Sequence, residues 1–164
     1  MEGTDISRPK LTKTANILWG LILIGTLAFL YFKFATPKNT IESSMPKREI
    51  SLAGNNFWVY EALTQIEKET GLSKFYSIQE NQGMLFYFDS LGRPAFWMKD
   101  MQFPIDIVWM RDYTVVQIDK NIPVEKTNAH VSYLLASDIN QVLELKAGMA
   151  DKSNIKIGDV LQLK

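Results

Sequence analysis

Apolar positions along the chain fall into one long unbroken run followed by many short ones. The unbroken run, TANILWGLILIGTLAFLYF at Thr14–Phe32, holds 19 residues without a charge. At about 1.5 Å of rise per residue it reaches roughly 28 Å, close to the hydrocarbon thickness of a bilayer. Trp19 and Tyr31 stand near its ends as interface anchors, flanked by Lys10, Lys13, Lys33 and Lys38. A buried core helix would rarely be apolar on every face in a protein this small. A cleaved signal peptide usually has a shorter apolar stretch followed by an A-x-A site, and none follows Phe32. Residues 14–33 therefore read as an uncleaved single-pass transmembrane anchor, with residues 1–13 as a short cytoplasmic tail. Basic residues on both flanks leave the orientation open, and the short tail favours an extracytoplasmic C-terminal part.

Beyond the anchor the pattern changes twice. Residues 34–50 (FATPKNTIESSMPKREI follows Lys33) carry two prolines, mixed charge and no periodic apolar face, the composition of a linker. Residues 51–164 then alternate short apolar runs with turn residues. Strands are expected at Asn56–Tyr60, Met84–Phe88, Ala95–Lys99, Ile105–Met110, Thr114–Asp119, Gln141–Leu145 and Asp159–Leu163. A helix is expected over Glu61–Thr70, with Ala62, Leu63 and Ile66 on its apolar face and Gly71 at its C-terminal cap. A helical turn fits Ala147–Ser153. The fold class is mainly β (α+β), a compact antiparallel barrel-like sheet with one or two short helices, preceded by a single transmembrane helix.

Charge and composition narrow the function. Lys plus Arg and Asp plus Glu each total 18, so the chain lacks the basic excess a nucleic-acid binder uses to displace counterions. With no cysteine, disulfides, iron–sulfur clusters and thiol chemistry are excluded. The single histidine, His130, cannot build a multi-histidine metal site and reads as a loop residue. No cofactor and no metal are expected; Asp100 and Asp106 lack the spacing of a calcium loop.

One set of motifs is distinctive in combination: GMLFYF at Gly83–Phe88, FWMK at Phe96–Lys99, PIDIVWM at Pro104–Met110, VLEL at Val142–Leu145 and IKIGDV at Ile155–Val160. In this order and spacing they resemble the bacterial and archaeal family called domain of unknown function 192. The helix ending in Thr70-Gly71-Leu72-Ser73 is similar to one in that family. The resemblance covers about residues 56–164. It implies a compact, mostly β fold, often exported or membrane-tethered, and brings no established activity. Three positions depart from the family pattern: Asp100 where Asn is usual, a turn at Arg111–Thr114 without glycine, and Ser137–Asn140 without proline. These departures bear on turn geometry.

Candidate chemistry centres on two neighbouring runs. Pairing Phe96–Lys99 with Ile105–Met110 as a hairpin would bring Lys99 towards Asp106, a carboxylate that is costly to bury alone in so apolar a strand. Phe96, Trp97, Met98, Lys99, Asp100 and Asp106 then line a ligand pocket. Glu144 is a further candidate. In the alternative reading Asp106 accepts backbone amides at the turn after Phe103-Pro104, Lys99 lays its stem along the surface, and Glu144 is the outward residue of an edge strand. Two functions follow. The first is a membrane-tethered binding or accessory module of the cell envelope, with the bilayer as partner through residues 14–33 and an envelope ligand or protein as target. The second is a small enzyme using Lys99 with Asp100 or Asp106 for acid–base chemistry.

Overall fold

Two tight hairpins frame the sheet. Strands β1 (Lys47–Leu52) and β2 (Asn55–Ala62) are joined by Ala53 and Gly54, whose φ values of 51° and 76° are those a primed hairpin turn requires. Strands β5 (Ile105–Arg111) and β6 (Thr114–Ile122) turn through Asp112 and Tyr113 at φ 48° and 65°. Neither is glycine, and side chains of the neighbouring strand hold them there. Asn140 Oδ1 accepts the Asp112 amide at 2.8 Å, and Gln141 Oε1 accepts the Tyr113 amide at 3.0 Å. Asn140 Nδ2 in turn donates to Asp112 Oδ1 at 2.9 Å. The missing glycine of the Arg111–Thr114 turn is thus offset by three hydrogen bonds.

The computed structural model describes residues 45–125, 132–133 and 137–164, together with Thr26. Contacts divide the chain into Met1–Lys38 and Asn39–Lys164, and the second unit holds every described residue except Thr26. The expected anchor over 14–33 lies outside the described residues apart from Thr26, as does His130. Among the described residues no helix is long and apolar enough to cross a membrane.

With β3 (Gln82–Gly92), β8 (Ile139–Lys146) and β9 (Gln162–Leu163), these strands form a seven-stranded sheet in the order β6-β5-β8-β3-β2-β1-β9. β2 and β3 run parallel because the chain crosses over between them through helix α1 (Gln65–Thr70) and a 3₁₀ turn (Gly71–Lys74). The other pairs in this sheet are antiparallel, as expected. β1 begins at Lys47, inside the segment read as linker, because its alternation is short and bounded by charge. The Phe96–Lys99 run shortens to β4 (Phe96–Trp97) and pairs with β7 (Ser132–Tyr133) in a separate two-stranded ribbon. The hairpin with Ile105–Met110 is not formed, since β5 already has β6 on one side and β8 on the other.

Both faces of the sheet are buried. One core gathers Leu52, Phe57, Val59, Leu85, Val108, Met110, Leu143 and Leu145. The other gathers Tyr60, Met84, Phe86, Phe96, Met98, Ile107, Trp109 and Val142, under Leu72 and Phe75 from the α1 side. The C-terminal segment ties the two sheet edges together. Val160 bridges Thr114, and the Val115 and Leu161 amides donate to the Asp159 and Tyr113 carbonyls at 2.9 Å each. Two residues later, Gln162 and Leu163 pair with Ser51 and Ile50 of β1. Ile155 and Leu161 plug the core on that side, and the result is the expected barrel-like sheet.

Candidate functional site

Asp106 belongs to the architecture. Its carboxylate is fully buried and accepts three backbone amides: Asn121 at 2.7 Å and Gly148 at 3.1 Å on Oδ1, and Ala150 at 2.8 Å on Oδ2. It thereby caps the short helix α2 (Met149–Lys152) from another strand and holds the end of β6, where Asn121 takes φ 53°. It alternates with Ile105 and Ile107 and so lies on the sheet face opposite Phe86 and Phe96. The Lys99–Asp106 pairing expected from sequence is not formed. The alternative reading had the right kind of partner, backbone amides, but placed them at a nearer turn.

The residues that come together are on the other face. α1 starts at Gln65, capped by Thr64, and not at Glu61, because β2 runs through Ala62. Thr64 Oγ1 accepts the Glu67 amide, and Glu67 Oε2 accepts the Thr64 amide at 2.7 Å, a reciprocal cap. The helix buries none of its own residues, and Ile66, expected on the apolar face, is 76% exposed. Leu72 and Phe75 anchor the segment instead. This leaves a cleft of about 190 Å³ between α1 and the Pro94–Lys99 stretch. Phe86 and Phe96 form its floor, packed edge to face at 5.1 Å, and Phe96 leans in the same way on Trp109 at 5.2 Å. Trp97, 45% exposed, Lys99 and Glu69 stand at the rim, and the Lys68 ammonium lies 5.3 Å from the Phe88 ring centre. Along α1 the cleft continues into a shallower depression bounded by Thr70, Trp97, Lys99 and Asp100.

Beneath this cleft is Glu144. β8 is a central strand between β3 and β5, so the residue is enclosed and not outward on an edge. Its register partners are Met84 and Ile107, and it lies on the cleft face with Val142. Oε2 has no hydrogen-bond partner among the described residues. Burial pushes the carboxyl up to about 8. Gly71, at φ 51° and ψ −143°, is the residue above it. A Cβ at Gly71 would sit 3.6 Å from Phe86 Cζ and 3.8 Å from Glu144 Oε2.

Of the residues singled out by sequence, Phe96, Trp97, Lys99 and Asp100 border the cleft and its extension, Met98 packs into the core beside it, and Glu144 lies below it. Asp106 does not belong to it. Sequence reasoning missed the α1 wall of Lys68, Glu69 and Gly71, and the Phe86 floor. The only signal was the Gly71-Leu72 pair, which reads as an ordinary helix end. Among the described residues no cluster of acidic or histidine side chains has the arrangement to hold a metal.

The family profile of domain of unknown function 192, described as Uncharacterized ACR, matches residues 48–163. A Sinorhizobium meliloti protein described as a candidate transcription regulator is 27% identical, with 73% of this chain and 95% of that one covered at a TM-score of 0.66. A Novosphingobium aromaticivorans protein of unknown function is 25% identical, with 80% and 96% covered at a TM-score of 0.68. No curated protein matches the chain.

Proposed function

The chain belongs to the domain of unknown function 192 family, and we propose that it is a binding module that takes a small ligand with an apolar ring in the cleft between α1 and Pro94–Lys99. The observation that carries this reading is the cleft itself, with the buried rings of Phe86 and Phe96 as its floor and the exposed Trp97 and Lys99 at its mouth. An apolar cavity of about 150 Å³ suffices to bind benzene, so a volume of about 190 Å³ suits one ring with a small substituent. The enzyme reading has less support, because one of its two carboxylates, Asp106, is committed to three amides on the other sheet face, which leaves Lys99 only Asp100 in the adjoining depression. The regulator description of the Sinorhizobium protein does not suit this chain, whose 18 basic and 18 acidic residues cancel.

We further propose that residues 14–33 tether this module to the membrane with the domain outside the cytoplasm, on the strength of the uncharged run. Full-length protein is expected to stay with membranes through carbonate extraction, and added protease to digest the domain in intact cells. Release by carbonate removes the tether, and complete protection reverses the orientation. The cleft is tested by saturation-transfer NMR on full-length protein in detergent, with a set of monoaromatic amides, alcohols and acids. Hits are expected to vanish in Trp97→Ala and weaken in Lys99→Met, with cooperative melting kept in both. Hits that survive both substitutions would place binding elsewhere.

A further inference from the structure

We infer that the cleft is a two-part site in which a ring lies on Phe86 and Phe96 while an uncharged amide head hydrogen-bonds the Glu144 carboxyl past Gly71. This deepens the ligand-cleft reading above and rests on it. A buried carboxyl oxygen without a partner is costly in an apolar setting, and a ligand head is the partner this geometry offers. Gly71 and Phe86 both line the cleft, and a Cβ built on Gly71 would lie 3.6 Å from Phe86 Cζ and 3.8 Å from Glu144 Oε2, so Oε2 lies directly behind these two residues. Gly71 holds a positive φ at the junction of α1 and the 3₁₀ turn, and its lack of a side chain leaves the space between the cleft and Oε2 free of a Cβ.

The chemistry of the head follows from the charges around it. The sheet neighbours of Glu144 are Met84 and Phe86 on β3, Ile107 on β5 and Val142 on its own strand, none of them charged. From the α1 side the charged groups are Lys68 and Glu69, both at the rim with Lys99. An ammonium head would have to pass two lysines into an apolar floor. A carboxylate head would arrive charged beside an acid with no cation near it. An uncharged carboxamide meets neither penalty, and it can accept from the protonated carboxyl while donating to its carbonyl oxygen. Protonation is kept at neutral pH by the same burial.

Benzamide, benzylamine and benzoate share one ring and differ in head charge, so they test the assignment directly in full-length protein in detergent. Benzamide is expected to bind best of the three at pH 6, shifting the Trp97 indole signal and a ¹³C-labelled Glu144 carboxyl signal together. Its affinity should fall as pH rises through about 8 in the wild type and stay level in Glu144→Gln, which keeps a donor and an acceptor. In Glu144→Met the affinity should drop about tenfold, the worth of one buried hydrogen bond. If benzamide moves Trp97 with the same affinity in Glu144→Met and at every pH, the role of Glu144 is overturned and the cleft stands. Should none of the three probes move Trp97, the cleft reading falls with it. The wild-type pH series keeps the test decisive even where Glu144→Met fails to fold.

Discussion

Glu144 and Asp106 show two ways a carboxyl can be buried in one sheet. Asp106 is surrounded by amide donors, and its removal strands them; Asp106→Ala is expected to cost roughly 3 kcal/mol or more. Because Lys99 is on the other side of the sheet, the Lys99→Met, Asp106→Ala double mutant should melt where the sum of the singles places it. Partial recovery in the double mutant would show that the two side chains are coupled after all. Glu144 has no such donors, and its burial makes its stability contribution depend on pH. Its folded-state value, about 8, is above the ordinary 4.5. The contribution is therefore complete below the unfolded value and declines as pH rises from about 4.5 to about 8. Denaturant unfolding of the wild type should lose up to about 1.4 kcal/mol per pH unit across that window from this group. Glu144→Gln should flatten the slope, and an unchanged slope would assign it to other groups. Neither role was legible locally: V-L-E-L and P-I-D-I-V both read as a polar residue among apolar ones, and only strand order decides what surrounds it.

At the scale of elements, the alternation of apolar residues located most of the strands, and turn residues located most of the loops. What alternation lacked was pairing. Phe96–Lys99 has the composition of a sheet strand, yet it contributes only Phe96 and Trp97 to a ribbon with Ser132–Tyr133, because both sides of β5 are taken. The α1 segment misled for a different reason. Ala62 and Ile66 have helical spacing, but Ala62 ends β2, and the helix starts at a cap with no buried face of its own. A helix held so lightly depends on its cap, so Thr64→Ala should cost about 1 kcal/mol and raise hydrogen exchange along Gln65–Thr70. Unchanged exchange there would mean that Leu72 and Phe75 alone position the cleft wall. Gly83 is the reverse case, a position with no freedom. A Cβ there would come within 2.5 Å of the Glu144 carbonyl oxygen and 2.9 Å of Leu145. Gly83→Ala is thus expected to separate β3 from β8 beside Glu144 and to lower the melting temperature more than any α1 substitution.

For the whole molecule, closure comes from the last few residues, and the cleft opens on the other face of the sheet. Ile155 and Leu161 fill one core, while Val160 and Leu163 pair with opposite sheet edges. A chain ending at Asn154 should therefore lose cooperative unfolding; a sharp two-state transition in that truncation would show that the sheet closes without the segment. The domain's barrel character was readable from many short strands and tight turns, whereas the cleft was not. The cleft exists because α1 and Phe96–Lys99, distant in sequence, leave a gap over Phe86. Backbone amide shift mapping of the full-length protein in detergent with benzamide tests that claim most directly. Shifts confined to Gln65–Leu72, Phe86, Phe96–Lys99 and Glu144 are the expected result, and shifts that cluster instead on the exposed Trp58 or along the β9 edge would contradict it.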